Sequence, residues 1–134
     1  MNKGKIPLYL EPISAGFPNA AEDAPTVPID LNELIIKHPA ATFYMRVKGA
    51  SMKDLGILDG DVVVVDKSLE ARHGDVVVAY IDGDFTLKSF AQAKGRTWLQ
   101  PANEQYEPIE VTEDSDFQVW GKVTAVVRDH ISAL

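Results

Sequence analysis

At 134 residues the chain is too short for two sizeable cores, which excludes a large multidomain enzyme. Apolar residues make up 46% and charged residues 25%, the balance of a chain that folds rather than of a disordered tail. Thirteen Lys and Arg against 20 Asp and Glu leave a net charge of −7, which argues against direct sequence-specific DNA binding, because affinity for phosphates comes from cationic contacts that release counterions.

Residues 1–28 hold five of the eight prolines, Pro7, Pro12, Pro18, Pro25 and Pro28, with small and acidic residues between them and no period of 2 or 3.6. Proline removes a backbone donor and pushes the residue before it towards extended geometry, so the segment is expected to be a flexible, extended N-terminal arm. Leu8, Leu10, Ile13 and Phe17 give it side chains with which to dock. Pro7, Glu11 and Pro12 also interrupt the region before an apolar core of signal-peptide length can form. A β-rich domain over residues 29–134 is expected to follow, opening on a short helix from Leu31 to His38. Asp30 would cap that helix, Leu31, Leu34 and Ile35 would share a face, and Pro39 would end it.

From Ala41 onward the pattern changes to short β-branched and aromatic runs separated by Gly, Asp and Asn: Thr42 to Val47, Asp61 to Asp66, Asp75 to Ile81, Asp84 to Phe90, Thr97 to Gln100 and Phe117 to Val127. This predicts a mainly β fold, a compact antiparallel body with one short helix and the extended arm. Asp82-Gly83 between two runs is a two-residue hairpin turn, so the flanking runs should pair. No apolar run approaches the roughly 18 residues that would suggest a membrane span.

The absence of cysteine removes disulfides, thiolate nucleophiles and thiolate metal sites, and the cytoplasm is the expected compartment. No two of His38, His73 and His130 have metal-ligand spacing, and no metal or cofactor is expected. Beside a proline, in a turn and near the chain end respectively, the three histidines read as solvated rather than as members of a Ser-His-Asp triad.

Val47-Lys48-Gly49-Ala50-Ser51-Met52 closes a strand with small residues and puts Ser51 at a turn open to a reacting group. Turn serines are common, and Ser51 means little without a base. Lys88 lies in the strand after the Asp-Gly hairpin, on one face with Asp84 and Thr86. Alone it too reads as an ordinary surface strand lysine.

Ser51 and Lys88, taken with Asp59-Gly60-Asp61, His73-Gly74-Asp75, Asp82-Gly83-Asp84-Phe85-Thr86-Leu87-Lys88, Ala15-Gly16-Phe17-Pro18 and Ile29-Asp30-Leu31-Asn32-Glu33-Leu34, stand in one order along nearly the whole chain. That pattern resembles the self-cleaving Ser-Lys proteins of the bacterial DNA-damage response, the LexA and UmuD family, and among them the UmuD-like branch. Two features depart from the family. About thirty residues precede Asp30, too few and too proline-rich for the helix-turn-helix module of the repressors, and the residue before the scissile glycine is Ala15, as in the repressors, where the UmuD pattern has cysteine.

The resemblance implies autocleavage between Ala15 and Gly16, with Ser51 as nucleophile, Lys88 as general base, and backbone N–H groups of Gly49, Ala50 and Ser51 as candidate oxyanion donors. It implies stimulation by RecA filaments on single-stranded DNA. It further implies a trimmed homodimer that joins a Y-family, UmuC-like lesion-bypass polymerase. Two other readings remain open. One is a non-catalytic β interaction module whose arm docks partners. The other is a Ser-Lys peptidase acting on separate substrates, as bacterial signal peptidase does with the help of a membrane anchor.

Overall fold

The computed structural model describes residues 4–16 and 24–131. Two compact units divide between Lys37 and His38. In the first, strand β1 (Ile6–Tyr9) pairs antiparallel with β2 (Thr26–Ile29), Ile6 opposite Ile29 and Tyr9 opposite Thr26. The segment expected to be a flexible, extended arm thus supplies β1 and most of β2, paired as a two-stranded ribbon. Pro7 faces Pro28 across it, a rung that works because opposed residues of an antiparallel pair alternate between bonded and non-bonded positions, and the non-bonded rung needs no N–H. Leu8, Leu10 and Ile13 are exposed; Phe17, expected to help dock the arm, lies outside the described residues.

Helix α1 (Leu31–Ile35) starts as expected, with the Asp30 carboxylate accepting the Asn32 N–H at 2.9 Å. It is three residues shorter than predicted, because Ile36 is already extended at φ −104° and His38 before Pro39 sits at φ −133°. Proline disfavours α geometry in the residue it follows, so the last turn cannot close.

After a 3₁₀ turn at Pro39–Ala41, the second unit is a seven-stranded antiparallel sheet. Its strands are β3 (Thr42–Arg46), β4 (Val62–Asp66), β5 (Val76–Ile81), β6 (Asp84–Ala93), β7 (Arg96–Gln100), β8 (Ile109–Val111) and β9 (Phe117–Val127), in the spatial order β3-β4-β9-β5-β6-β7-β8. The six predicted runs are all strands, and β8 is an addition to them. Alternation along β5 sends Val78 into a core with Met52, Ile57, Val63 and Val65, and Val77, Ala79 and Ile81 into a second core with Phe90 and Leu99. A strand covered on both faces has no polar side to show, which accounts for the unbroken apolar run at 76–81.

Asp82 (φ 48°) and Gly83 (φ 97°) form the β5–β6 turn with the two positive φ values that a type I′ hairpin requires. The register this sets places Thr86 opposite Ala79 and Lys88 opposite Val77. Among the described residues no helix is long and apolar enough to cross a membrane.

Candidate active site

Beyond β3 the chain continues in register with the Asp59–Asp61 segment: Val47 N–H donates to Asp61 O and Gly60 N–H to Val47 O, both at 2.8 Å. Gly49 then turns at φ +93°, and its N–H donates to Asp59 Oδ1 at 2.7 Å. On the other side, the loop after β7 holds the turn by three bonds. Asn103 Nδ2 donates to Ala50 O, Ala102 N–H to Ser51 O, and Asp54 N–H to Ala102 O, each at 2.8 Å. Met52, 1% exposed, plugs the first core immediately after Ser51. The serine thus stands between a bonded loop and a buried anchor.

The Asp59–Asp61 segment is itself braced. Arg128, just past β9, donates from Nε to Asp61 Oδ1 at 2.7 Å and from Nη2 to Asp61 Oδ2 at 2.6 Å, while Nη2 also reaches Gly56 O at 2.8 Å. The Asp61 side chain is 3% exposed, and the fork geometry of the guanidinium holds its carboxyl below the ordinary carboxylate range.

Lys88 rises from β6 into the same place. Its Nζ lies 3.2 Å from Ser51 Oγ, 2.6 Å from Thr86 Oγ1 and 3.1 Å from Leu87 O. Lys88 is not the ordinary surface lysine that its position alone suggests: the residue is 8% exposed, and burial pushes its pKa down because the ammonium is more costly to desolvate than the amine. Ser51, Lys88, Thr86, Phe85, Leu87 and Tyr106 line a cleft of about 330 Å³, to which Gly49 and Ala50 also contribute. A hydroxyl and an amine in hydrogen-bond reach, with Met45, Val47, Val63, Val78, Phe85 and Leu87 supplying apolar walls, suit proton transfer from the one to the other.

Ser51, Lys88, Gly49 and Ala50 therefore meet in one cleft, whereas Ala15 and Gly16 belong to the first unit and are exposed. His73 and His130 are exposed, with His73 Nδ1 accepting the Gln92 N–H at 3.0 Å. His38 is exposed as expected, and its Nδ1 lies 2.6 Å from Asp66 Oδ2. Ser68 Oγ donates to the other oxygen of the same carboxylate at 2.6 Å. The carboxylate stands between serine and imidazole, so no serine proton can pass to a histidine there. Asn103 and Asp59 carried no sequence signal as supports of the turn, because both reach it from distant positions.

The Peptidase S24-like family model matches residues 7–124. The chain is 42% identical to Protein MucA of Salmonella typhimurium over 126 residues, 93% of this chain and 86% of that protein. It is 43% identical to Protein SamA of Salmonella typhimurium strain LT2 over 122 residues, 91% of this chain and 84% of the other. Identity to the LexA repressor of Shewanella piezotolerans is 37% over 129 residues, 89% of this chain and 63% of the repressor.

Proposed function

The chain belongs to the Peptidase S24-like family, and from that premise we propose that it is a self-cleaving serine peptidase whose scissile bond is its own Ala15–Gly16. Ser51 Oγ attacks the carbonyl carbon of Ala15 while Lys88 Nζ takes the hydroxyl proton. Collapse of the tetrahedral intermediate breaks the Ala15–Gly16 bond as Lys88 returns the proton to the leaving amine of Gly16. Water, deprotonated by Lys88, then hydrolyses the ester and restores Ser51.

The observation that carries this reading is the 3.2 Å contact between Lys88 Nζ and Ser51 Oγ at a buried lysine. An unperturbed lysine is neutral only roughly 0.04% of the time at pH 7, so a base of this type needs the desolvation that Lys88 has. A neutral amine offers two N–H groups and one lone pair. Thr86 Oγ1 and Leu87 O can accept the two N–H groups, which turns the lone pair to Ser51. Gly49 N–H is engaged by Asp59, so the oxyanion role falls to the N–H groups of Ala50 and Ser51.

Membership of the family supports a wider setting for this cleavage. In this reading the protein serves the SOS response in the cytoplasm, and RecA filaments on single-stranded DNA favour the conformer in which the arm occupies the cleft. The trimmed chain, residues 16–134, forms a homodimer and joins a Y-family, UmuC-like lesion-bypass polymerase. Intact mass after incubation of the purified protein at alkaline pH tests the cleavage step. Wild type should yield residues 16–134, while Ser51→Ala and Lys88→Arg should stay whole with unchanged circular dichroism. The same product from Ser51→Ala would overturn the nucleophile, and a wild-type chain that stays whole with and without RecA filaments would favour a non-catalytic interaction module.

A further inference from the structure

Asn103 is one of four polar or charged residues buried in the described structure, at 8% exposed, and it takes no part in the proton transfers above. Its two amide atoms are both committed: Nδ2 donates to Ala50 O at 2.8 Å, and Oδ1 accepts the Gln105 N–H at 3.0 Å. The residue does not line the cleft, whereas Ala50 and Ser51 do.

The bond to Ala50 O has a geometric consequence. The Ala50–Ser51 peptide is trans and planar, so its C=O and N–H point in opposite directions from one rigid plate. Drawing Ala50 O back to Asn103, away from the cleft, aims the Ser51 N–H the other way, towards the cleft. Lys53 N–H also reaches Ala50 O, at a longer 3.3 Å, and Ala102 N–H holds the following carbonyl, Ser51 O, at 2.8 Å. The Asn103 side chain is the shortest tie on the Ala50 carbonyl.

We propose that Asn103 is a positioning residue that sets the orientation of the oxyanion-binding Ser51 N–H through its hydrogen bond to the carbonyl of the same peptide plane. The inference rests on the reading of Ser51 as nucleophile. Transition-state stabilisation by a backbone donor depends on that donor already pointing where negative charge develops. A plate free to rock about the chain would lose that aim while leaving the Ser51 hydroxyl and Lys88 in place, so the rate would fall without a change in the base.

The test is the pH profile of self-cleavage in the full chain for wild type, Asn103→Asp and Asn103→Ser. Asp keeps the acceptor for Gln105 and replaces the donor with a carboxylate oxygen; Ser is too short to reach Ala50 O. Both variants should lower the high-pH plateau rate by about 10- to 100-fold, the scale of a misaimed catalytic group, with the profile's midpoint unmoved because Lys88 is untouched. A wild-type plateau in either folded variant would overturn the inference, as would a shifted midpoint, which would place the damage at the base, or loss of fold in both, which would make Asn103 a structural residue only. Ser51→Ala, run alongside, separates the two ideas: its continued cleavage would remove the nucleophile reading, whereas intact Ser51→Ala with fully active Asn103 variants would remove only the role of Asn103.

Discussion

Thr86 Oγ1 stands 2.6 Å from Lys88 Nζ, closer than the Ser51 Oγ at 3.2 Å that the lysine would deprotonate. Two positions apart on one strand, the two side chains share a face, so the backbone itself supplies the amine's partner. Thr86→Val keeps the shape and removes the acceptor, leaving a buried N–H without a partner at a cost of about 1–3 kcal/mol. Self-cleavage should slow by roughly 10- to 100-fold if that cost falls on the reactive arrangement, and Thr86→Ser should recover most of the rate. Time courses of intact mass for the two variants against wild type decide it, and a wild-type rate in Thr86→Val beside a loss in Thr86→Ser would show that packing of the methyl matters rather than the hydroxyl.

Lys88 should also cost the protein stability. Burial lowers its pKa in the folded state below the ordinary 10.5, so between the two values the unfolded chain binds the extra proton and stability rises with pH. Below the lowered folded value the folded state carries the full cost of a desolvated ammonium. Lys88→Met should therefore abolish cleavage, a loss of at least about 10²-fold for removal of a general base, while raising the thermal midpoint at pH 7. The gain should shrink as pH approaches 10.5. A variant less stable than wild type at pH 7 would show that the hydrogen bonds of the amine outweigh its desolvation.

Gly121 of β9 passes against β4 so closely that an added Cβ would lie 2.6 Å from Val65 Cγ1 and 3.1 Å from Asp66 O. Val65 is fully buried and cannot swing aside. Gly121→Ala should destabilise by about 1–3 kcal/mol, the range for overpacking in a filled core, seen as a lower denaturant midpoint at unchanged slope. An unchanged midpoint would mean that the two strands separate without penalty.

The elements readable from the sequence are those whose determinants are local. Asp82-Gly83 announces its hairpin because only certain residues accept two successive positive φ values, and the β5 run is apolar throughout because both its faces are covered. The meeting of Ser51 and Lys88 was readable only through resemblance, since neither residue stands out at its own position. What escaped depends on partners distant in sequence. The β1–β2 ribbon hides behind prolines that suit a non-bonded rung, and the three residues of β8 exist as a strand because β7 offers an edge. His38 finds Asp66 only when β3 and β4 have paired, and the need for glycine at 121 arises from strand register.

The Arg128–Asp61 pair is the last case, and here the sign of the pH dependence carries the test. The Arg128 guanidinium, chiefly by its hydrogen bonds, lowers the Asp61 pKa against the opposing effect of burial. The stability this pairing contributes is present above the ordinary carboxylate value of 3.8 and is lost as pH falls through the lower folded value. Arg128→Met removes the cation and leaves a carboxylate whose side chain is 3% exposed; with desolvation then dominant, its pKa should rise instead, and the charge becomes a penalty at neutral pH that protonation relieves. The variant should melt roughly 5–10 °C below wild type at pH 7, and the gap should narrow as pH is lowered towards 3.8. Adding Asp61→Asn to Arg128→Met should recover part of the loss at pH 7 by removing the stranded charge. Because the Asp61 segment also carries the Asp59 carboxylate that holds Gly49, the single variant should lose cleavage activity along with stability, and melting curves at pH 7 and pH 4 read beside cleavage rates at alkaline pH test both. A gap that widens on acidification would mean that the pair owes its effect to contacts other than the charge on Asp61.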